Sequence, residues 1–138
     1  MSDQADRTRR VVIADDDDDI RGLMTIAAKR AGVEIVAAVD NGHAALEAVR
    51  RGGVDLVVLD ISMPGLNGVE VAEAMRADER TLPTLILMVS ASVQLLTDHG
   101  VVAERADSFL VKPFSPRALS TRIREMLQLD AQRVEESA

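Results

Sequence analysis

The sequence predicts a doubly wound α/β sandwich, with one parallel sheet between two layers of helices. Two observations carry this. Short apolar runs rich in β-branched residues alternate five times with segments of helical spacing, and runs such as VDLVVLD are apolar almost throughout, as expected of strands buried on both faces. A chain of 138 residues with 47% hydrophobic residues can enclose one substantial core, so a single domain is expected.

The strands are expected at Val11 to Ala14, Glu34 to Val39, Val54 to Leu59, Leu85 to Val89 and Ser108 to Val111. After the first strand, Ile20, Leu23, Met24, Ala27 and Ala31 recur at helical spacing, and Ala45, Leu46 and Val49 do so after the second. Val69, Ala72 and Met75 continue the pattern, and Leu119, Ile123, Met126 and Leu127 close it. Val93 to Ala103 is the weakest helix, because Gly100 costs it about 1 kcal/mol relative to Ala. The domain is expected over residues 10–129, between a disordered tail at 1–9 and a polar tail at 130–138.

Composition narrows the function. A net charge of −7 argues against a nucleic-acid surface, since the basic cluster is confined to Arg7, Arg9 and Arg10. The absence of cysteine excludes disulfides, thiolate metal sites and sulfur redox chemistry. No run is long and apolar enough to span a bilayer, so a soluble, cytoplasmic protein without a membrane partner is expected. Aromatic residues make up 1% of the chain, namely Phe109 and Phe114, which disfavours base stacking.

Open α/β sheets bind ligands beyond the carboxyl ends of their strands. Strand one runs into Asp15 and Asp16, strand three into Asp60, strand four into Ser90 and strand five into Lys112. Converging carboxylates repel, and a hard divalent cation with oxygen ligands relieves this, magnesium being the natural candidate. Such an ion, a lysine and a hydroxyl can together hold the oxygens of a transferring phosphoryl group, leaving one carboxylate as nucleophile.

Each residue also has a plainer reading. Carboxylates in the run Asp15 to Asp19 suit a helix amino terminus, and that role falls to Asp18 and Asp19, with Asp17 a solvated loop charge. Ser90 alone reads as a turn former and Lys112 alone as a surface charge. His43 and His99 have no metal-ligand spacing. GxxxxGK[ST], GxGxxG and GxSxG are all absent, which removes support for nucleotide hydrolysis and serine hydrolase chemistry.

The blocks VVIADDDDDIR, VVLDISMPGLNGVE, LILMVSAS and FLVKPF, in this order, resemble response-regulator receiver domains of two-component signalling, from about Arg10 to Leu127. The resemblance, of the single-domain type, implies a flavodoxin-like sheet of order 2-1-3-4-5. It implies Asp60 as phospho-acceptor and metal ligand, Asp16 as a direct magnesium ligand, Asp15 as a ligand through water, and the Ser62 carbonyl as a further ligand, manganese being able to substitute. Lys112 would contact the phosphoryl oxygens and precede a cis proline. Ser90 would move toward the phosphoryl group, with Phe109 responding by packing, since it lacks the hydroxyl of the tyrosine often found there. Ser62 and Ser92 match positions that tune phosphate lifetime.

The implied donor is a sensor histidine kinase or a histidine phosphotransfer protein. The implied output is contact of the fourth helix, fifth strand and fifth helix with a downstream protein, to which the apolar Val93, Leu95, Leu96, Val101 and Val102 contribute either core or docking surface. The expected role is regulatory rather than enzymatic. Two alternatives remain at this point. An aspartate-nucleophile phosphatase would want a second acid where Ser62 stands, and a degenerate receiver acting as an interaction module would not need the full set Asp15, Asp16, Asp60, Ser90 and Lys112.

Overall fold

The computed structural model describes residues 7–92, Gln94 and residues 105–129. Apart from Gln94, the expected helix at Val93 to Ala103, with His99 and its apolar residues, lies outside the described residues, as do residues 1–6 and 130–138. Five strands form one parallel sheet: β1 (Arg10–Ala14), β2 (Glu34–Val39), β3 (Leu56–Asp60), β4 (Leu85–Ser90) and β5 (Ser108–Val111). Their order is β2-β1-β3-β4-β5, as the resemblance implied. β3 is buried at every position, which is why its sequence is apolar without alternation.

The pleat sends alternate strand residues to two separate cores. Val12, Ala14, Val57, Leu59, Ile86 and Met88 face helices α2 (Gly42–Arg50) and α3 (Gly68–Arg76). Val11, Ile13, Leu56, Val58, Leu87 and Val89 face α1 (Asp18–Arg30) and the closing helix (Pro116–Leu127). A register shift between Val11 and Val12 lets β2 follow β1 past an extra residue.

Side-chain caps set where the helices start. Asn41 accepts from the Ala44 N–H at the start of α2, Asn67 and Glu70 form a reciprocal capping box on α3, and Ser115 caps the closing helix ahead of Pro116. At α1 the expectation needs correcting. Asp17 is the N-cap, accepting from the Asp19 and Ile20 N–H groups at 2.9 and 3.0 Å, while Asp18 and Asp19 occupy the first turn. Asp17 is the residue with extended backbone, the geometry a cap requires.

Three further expectations shift. Leu23 is 41% exposed, because the buried stripe of α1 is centred on Met24, Ala27 and Ala28, about 100° around the helix. β3 begins at Leu56 rather than Val54, and Asp60 and Ser90 are the last paired residues of β3 and β4 rather than residues beyond them. Residues 7–9, expected in the tail, make structural contacts. Arg7 pairs with Asp55 through two hydrogen bonds of 2.8 and 2.9 Å, and the Arg9 carbonyl accepts from the Glu34 N–H. Arg10 donates to the Gly52 and Gly53 carbonyls, so two of the three clustered arginines serve internal contacts.

Gly68 explains how tightly α3 is seated. A Cβ there would stand 2.5 Å from the Asp60 carbonyl oxygen and 2.9 Å from the Ile61 Cα, both backbone atoms. Gly22, in α1, faces open space. Gly68→Ala should therefore destabilise the protein by about 1–3 kcal/mol through overpacking. Gly22→Ala should stabilise it by about 1 kcal/mol through helix propensity. Urea denaturation midpoints should move in opposite directions.

Candidate functional site

β1 and β3 are neighbours, and their carboxyl ends bring Asp15 and Asp60 side by side. Beyond them the chain diverges: α1, following β1, covers one face of the sheet, and α3, following β3, covers the other. The crevice left between is the ligand position expected of such a sheet. Oxygens of Asp15, Asp16 and Asp60 lie within 4.8 Å of one another, Asp15 and Asp60 being buried and Asp16 exposed.

Lys112 enters from the end of β5, where its N–H donates to the Ser90 carbonyl at 2.8 Å and extends the β4–β5 pairing. Its Nζ is 2.8 Å from Asp15 Oδ2 and 3.4 Å from Asp60 Oδ1. The Lys112–Pro113 bond is cis, as expected. The Asp17 N–H donates to Asp15 Oδ1 at 2.9 Å. Asp15 Oδ2 is buried without a well-formed hydrogen bond and has the ammonium as its compensation, in the manner of an ion pair.

Charge at the site is unbalanced: three carboxylates face one ammonium. At an effective dielectric near 20, like charges 4–5 Å apart repel by about 3–4 kcal/mol. Burial, followed by the charge of Asp15, pushes Asp60 up to about 6, although Lys112 and the Ser62 N–H act in the opposite direction. Burial alone would lower Lys112, but its close contact with Asp15 and the charges of Asp60 and Asp15 outweigh that, and its pKa is raised. The lysine therefore stays charged, and the excess negative charge falls on the carboxylates.

This arrangement fits a hard divalent cation. Carboxylate oxygens within reach of one point, one of them buried and poorly satisfied, supply the donors such an ion takes. An open groove lined by Asp16, Ser62, Met63, Asn67 and Glu70 provides access from solvent.

Ser90 is 2% exposed, and its Oγ accepts from the Ser92 N–H at 3.1 Å, which leaves the hydroxyl proton to donate elsewhere. Phe109 pairs in register with Met88 and packs into the α2–α3 core. By the pleat it shares a face with Ser90, two residues on from Met88, so it sits behind the cluster rather than in it. Of the sequence-derived set, Asp15, Asp16, Asp60 and Lys112 converge directly, while Ser62 lines the groove beside Asp16. His43 is exposed at the start of α2, and no histidine joins a metal-capable group among the described residues.

Sequence reasoning missed Arg21. Its guanidinium holds the Asp15 carbonyl at 2.9 Å and also pairs with Asp18. The spacing of three residues between Asp18 and Arg21 was the available signal.

Comparison with known proteins agrees with this geometry. The response regulator receiver domain family matches residues 11–124. The DNA-binding response regulator MtrA of Mycolicibacterium smegmatis is 34% identical over 120 residues, covering 87% of this chain and 51% of MtrA. The chain thus spans about half the length of that relative. Such relatives give no support to the expectation, drawn from net charge, that nucleic acid plays no part. Among solved structures, chemotaxis response regulator CheY4 of Vibrio cholerae has a TM-score of 0.77 at 28% identity, covering 86% of this chain and 98% of that one. TrrA from Thermotoga maritima, in complex with Mg2+-BeF, has a TM-score of 0.76 at 31% identity, covering 86% and 99%. This chain belongs to the response-regulator receiver domains of two-component signalling.

Proposed function

We propose that the domain, taken as residues 10–129, is a switch thrown by phosphorylation of Asp60. The observation that carries this reading is the buried Asp60 carboxylate, which shares the Lys112 ammonium with Asp15 and clusters with Asp16, a residue that lines an open groove. Asp16 and Asp60 would hold a magnesium or manganese ion, Asp16 directly, with Asp15 acting through water and the Ser62 carbonyl as a further ligand. When bound, the ion neutralises charge on the transferring phosphoryl group. TrrA, solved with Mg2+-BeF, supports this assignment by its similarity.

In the proposed transfer, an Asp60 oxygen attacks the phosphorus of a phosphohistidine on a sensor kinase or phosphotransfer protein. The O–P bond forms as the N–P bond breaks, and the imidazole nitrogen keeps the electron pair. Lys112, already 3.4 Å from Asp60 Oδ1, is placed to hold a phosphoryl oxygen as charge builds. Ser90 then donates its hydroxyl proton toward the phosphoryl group. The shift passes to the face that includes β5 and the closing helix, where a downstream partner reads it. We place the protein in the cytoplasm, where its phosphodonors act. Among the described residues no helix is long and apolar enough to cross a membrane.

The direct test is intact mass after incubation with magnesium and acetyl phosphate. Wild type should gain one phosphate, while Asp60→Asn and a magnesium-free sample should not. A gain retained by Asp60→Asn would move the acceptor elsewhere. No gain from acetyl phosphate or from a phosphohistidine donor would favour a phosphorylation-independent interaction module.

The raised pKa of Asp60 predicts a pH dependence. Between the ordinary carboxylate value of 3.8 and about 6 the folded protein binds more protons than the unfolded chain, so stability falls as pH rises through this window and levels above it. In metal-free buffer Asp60→Asn should therefore be more stable than wild type by roughly 1–3 kcal/mol at pH 7 and nearly equal below pH ~4. Magnesium should narrow the pH 7 gap, since it binds the folded wild-type site. Urea melts across pH, with and without the ion, measure both effects.

A further inference from the structure

We propose that Arg21 is a positioning residue for divalent-cation binding: by holding the Asp15 carbonyl and the Asp18 carboxylate, it fixes the peptide that joins Asp15 to Asp16. This rests on the metal reading above. The Asp15 carbonyl belongs to the peptide plane linking the two proposed ligands, so its direction decides how Asp16 is presented relative to Asp15. Arg21 donates to that oxygen at 2.9 Å from the first turn of α1, and its second nitrogen engages Asp18, so the guanidinium bridges the turn. Its side chain is 22% exposed, and its own N–H donates to the Asp17 carbonyl at 2.8 Å. Asp15 is held from the other side by the Asp17 N–H on its Oδ1. With both the carboxylate and the carbonyl of Asp15 fixed, the turn has one shape. Without Arg21 the Asp15–Asp16 peptide loses its anchor within a run of five like charges.

Positioning and simple electrostatics predict opposite results. A positive charge beside a cation site repels the ion, so on Coulomb's law alone neutralising Arg21 should tighten binding. If Arg21 sets the geometry, neutralising it should weaken binding. We therefore expect Arg21→Gln to bind Mn2+ at least about threefold more weakly than wild type, read by the electron paramagnetic resonance signal of free Mn2+ and by calorimetry. Arg21→Lys, which keeps the charge but cannot bridge two acceptors as a fork, should fall between them. Metal-free thermal melts identify variants that have lost the fold, and if Arg21→Gln is among them Arg21→Lys carries the comparison. Equal or tighter Mn2+ binding by the folded variant overturns the inference while wild-type binding upholds the metal reading. Absence of Mn2+ binding by wild type overturns both.

Discussion

The fold is organised around two carboxylates, Asp15 and Asp60, buried at adjacent strand ends with a single ammonium between them. Taking such groups out of water costs several kcal/mol each even after relaxation. That cost has to be offset elsewhere, and β1 and β3 offset it by being apolar and buried on both faces. Val11, Val12, Ile13, Leu56, Val57, Val58 and Leu59 are all 0% exposed. Fully burying one such side chain stabilises by about 1.5–3 kcal/mol, so a few of them balance the acids. The central strands thus provide both the rigidity of the site and the stability that tolerates it.

Backbone packing sets the site as much as side chains do. The β1–α1 turn is tied by Asp17, which caps the helix with its carboxylate while its N–H donates to Asp15. On the other wall, the close approach of Gly68 and its N–H on the Ile61 carbonyl seat α3 against the end of β3. The capping box of Asn67 and Glu70 starts that helix one residue earlier. Asp60 is thereby gripped between a strand ladder behind and a helix start in front, which leaves its carboxylate little freedom except toward the crevice.

The fold was legible because buried parallel strands write themselves as apolar runs, and the acids could be located because they directly follow those runs. Details that depend on one residue's rotation or on distant partners were less accessible. Leu23 and Met24 are adjacent and both apolar, and which faces inward depends on how α1 lies against the closing helix. Within a run of five aspartates, composition does not say which residue holds the extended backbone of a cap. Arg76 donates to the carbonyls of Leu82, Thr84 and Arg105 and pairs with Asp107, tying α3 to the starts of β4 and β5. Acceptors that are carbonyls leave no mark on residue type, so such clamps are invisible until the backbone is in place.

On the proposed reading, phosphorylation acts by changing the charge at the crevice. An ionised carboxylate carries one negative charge and a phosphoryl group about one and a half to two. Lys112 is already engaged by Asp15, so the added charge calls on other donors, and Ser90, one step beyond the Val89 that pairs with Asp60, offers a hydroxyl on the adjacent strand. Its oxygen is tied to the Ser92 N–H, so drawing it toward Asp60 pulls on the backbone just beyond β4 rather than merely turning a rotor. Vacating that position alters the space on the face Ser90 shares with Phe109, a ring that responds by packing alone because it has no hydroxyl. A switch coupled this way depends on filling space rather than on a hydrogen bond, and its two states differ by how well an apolar ring is buried.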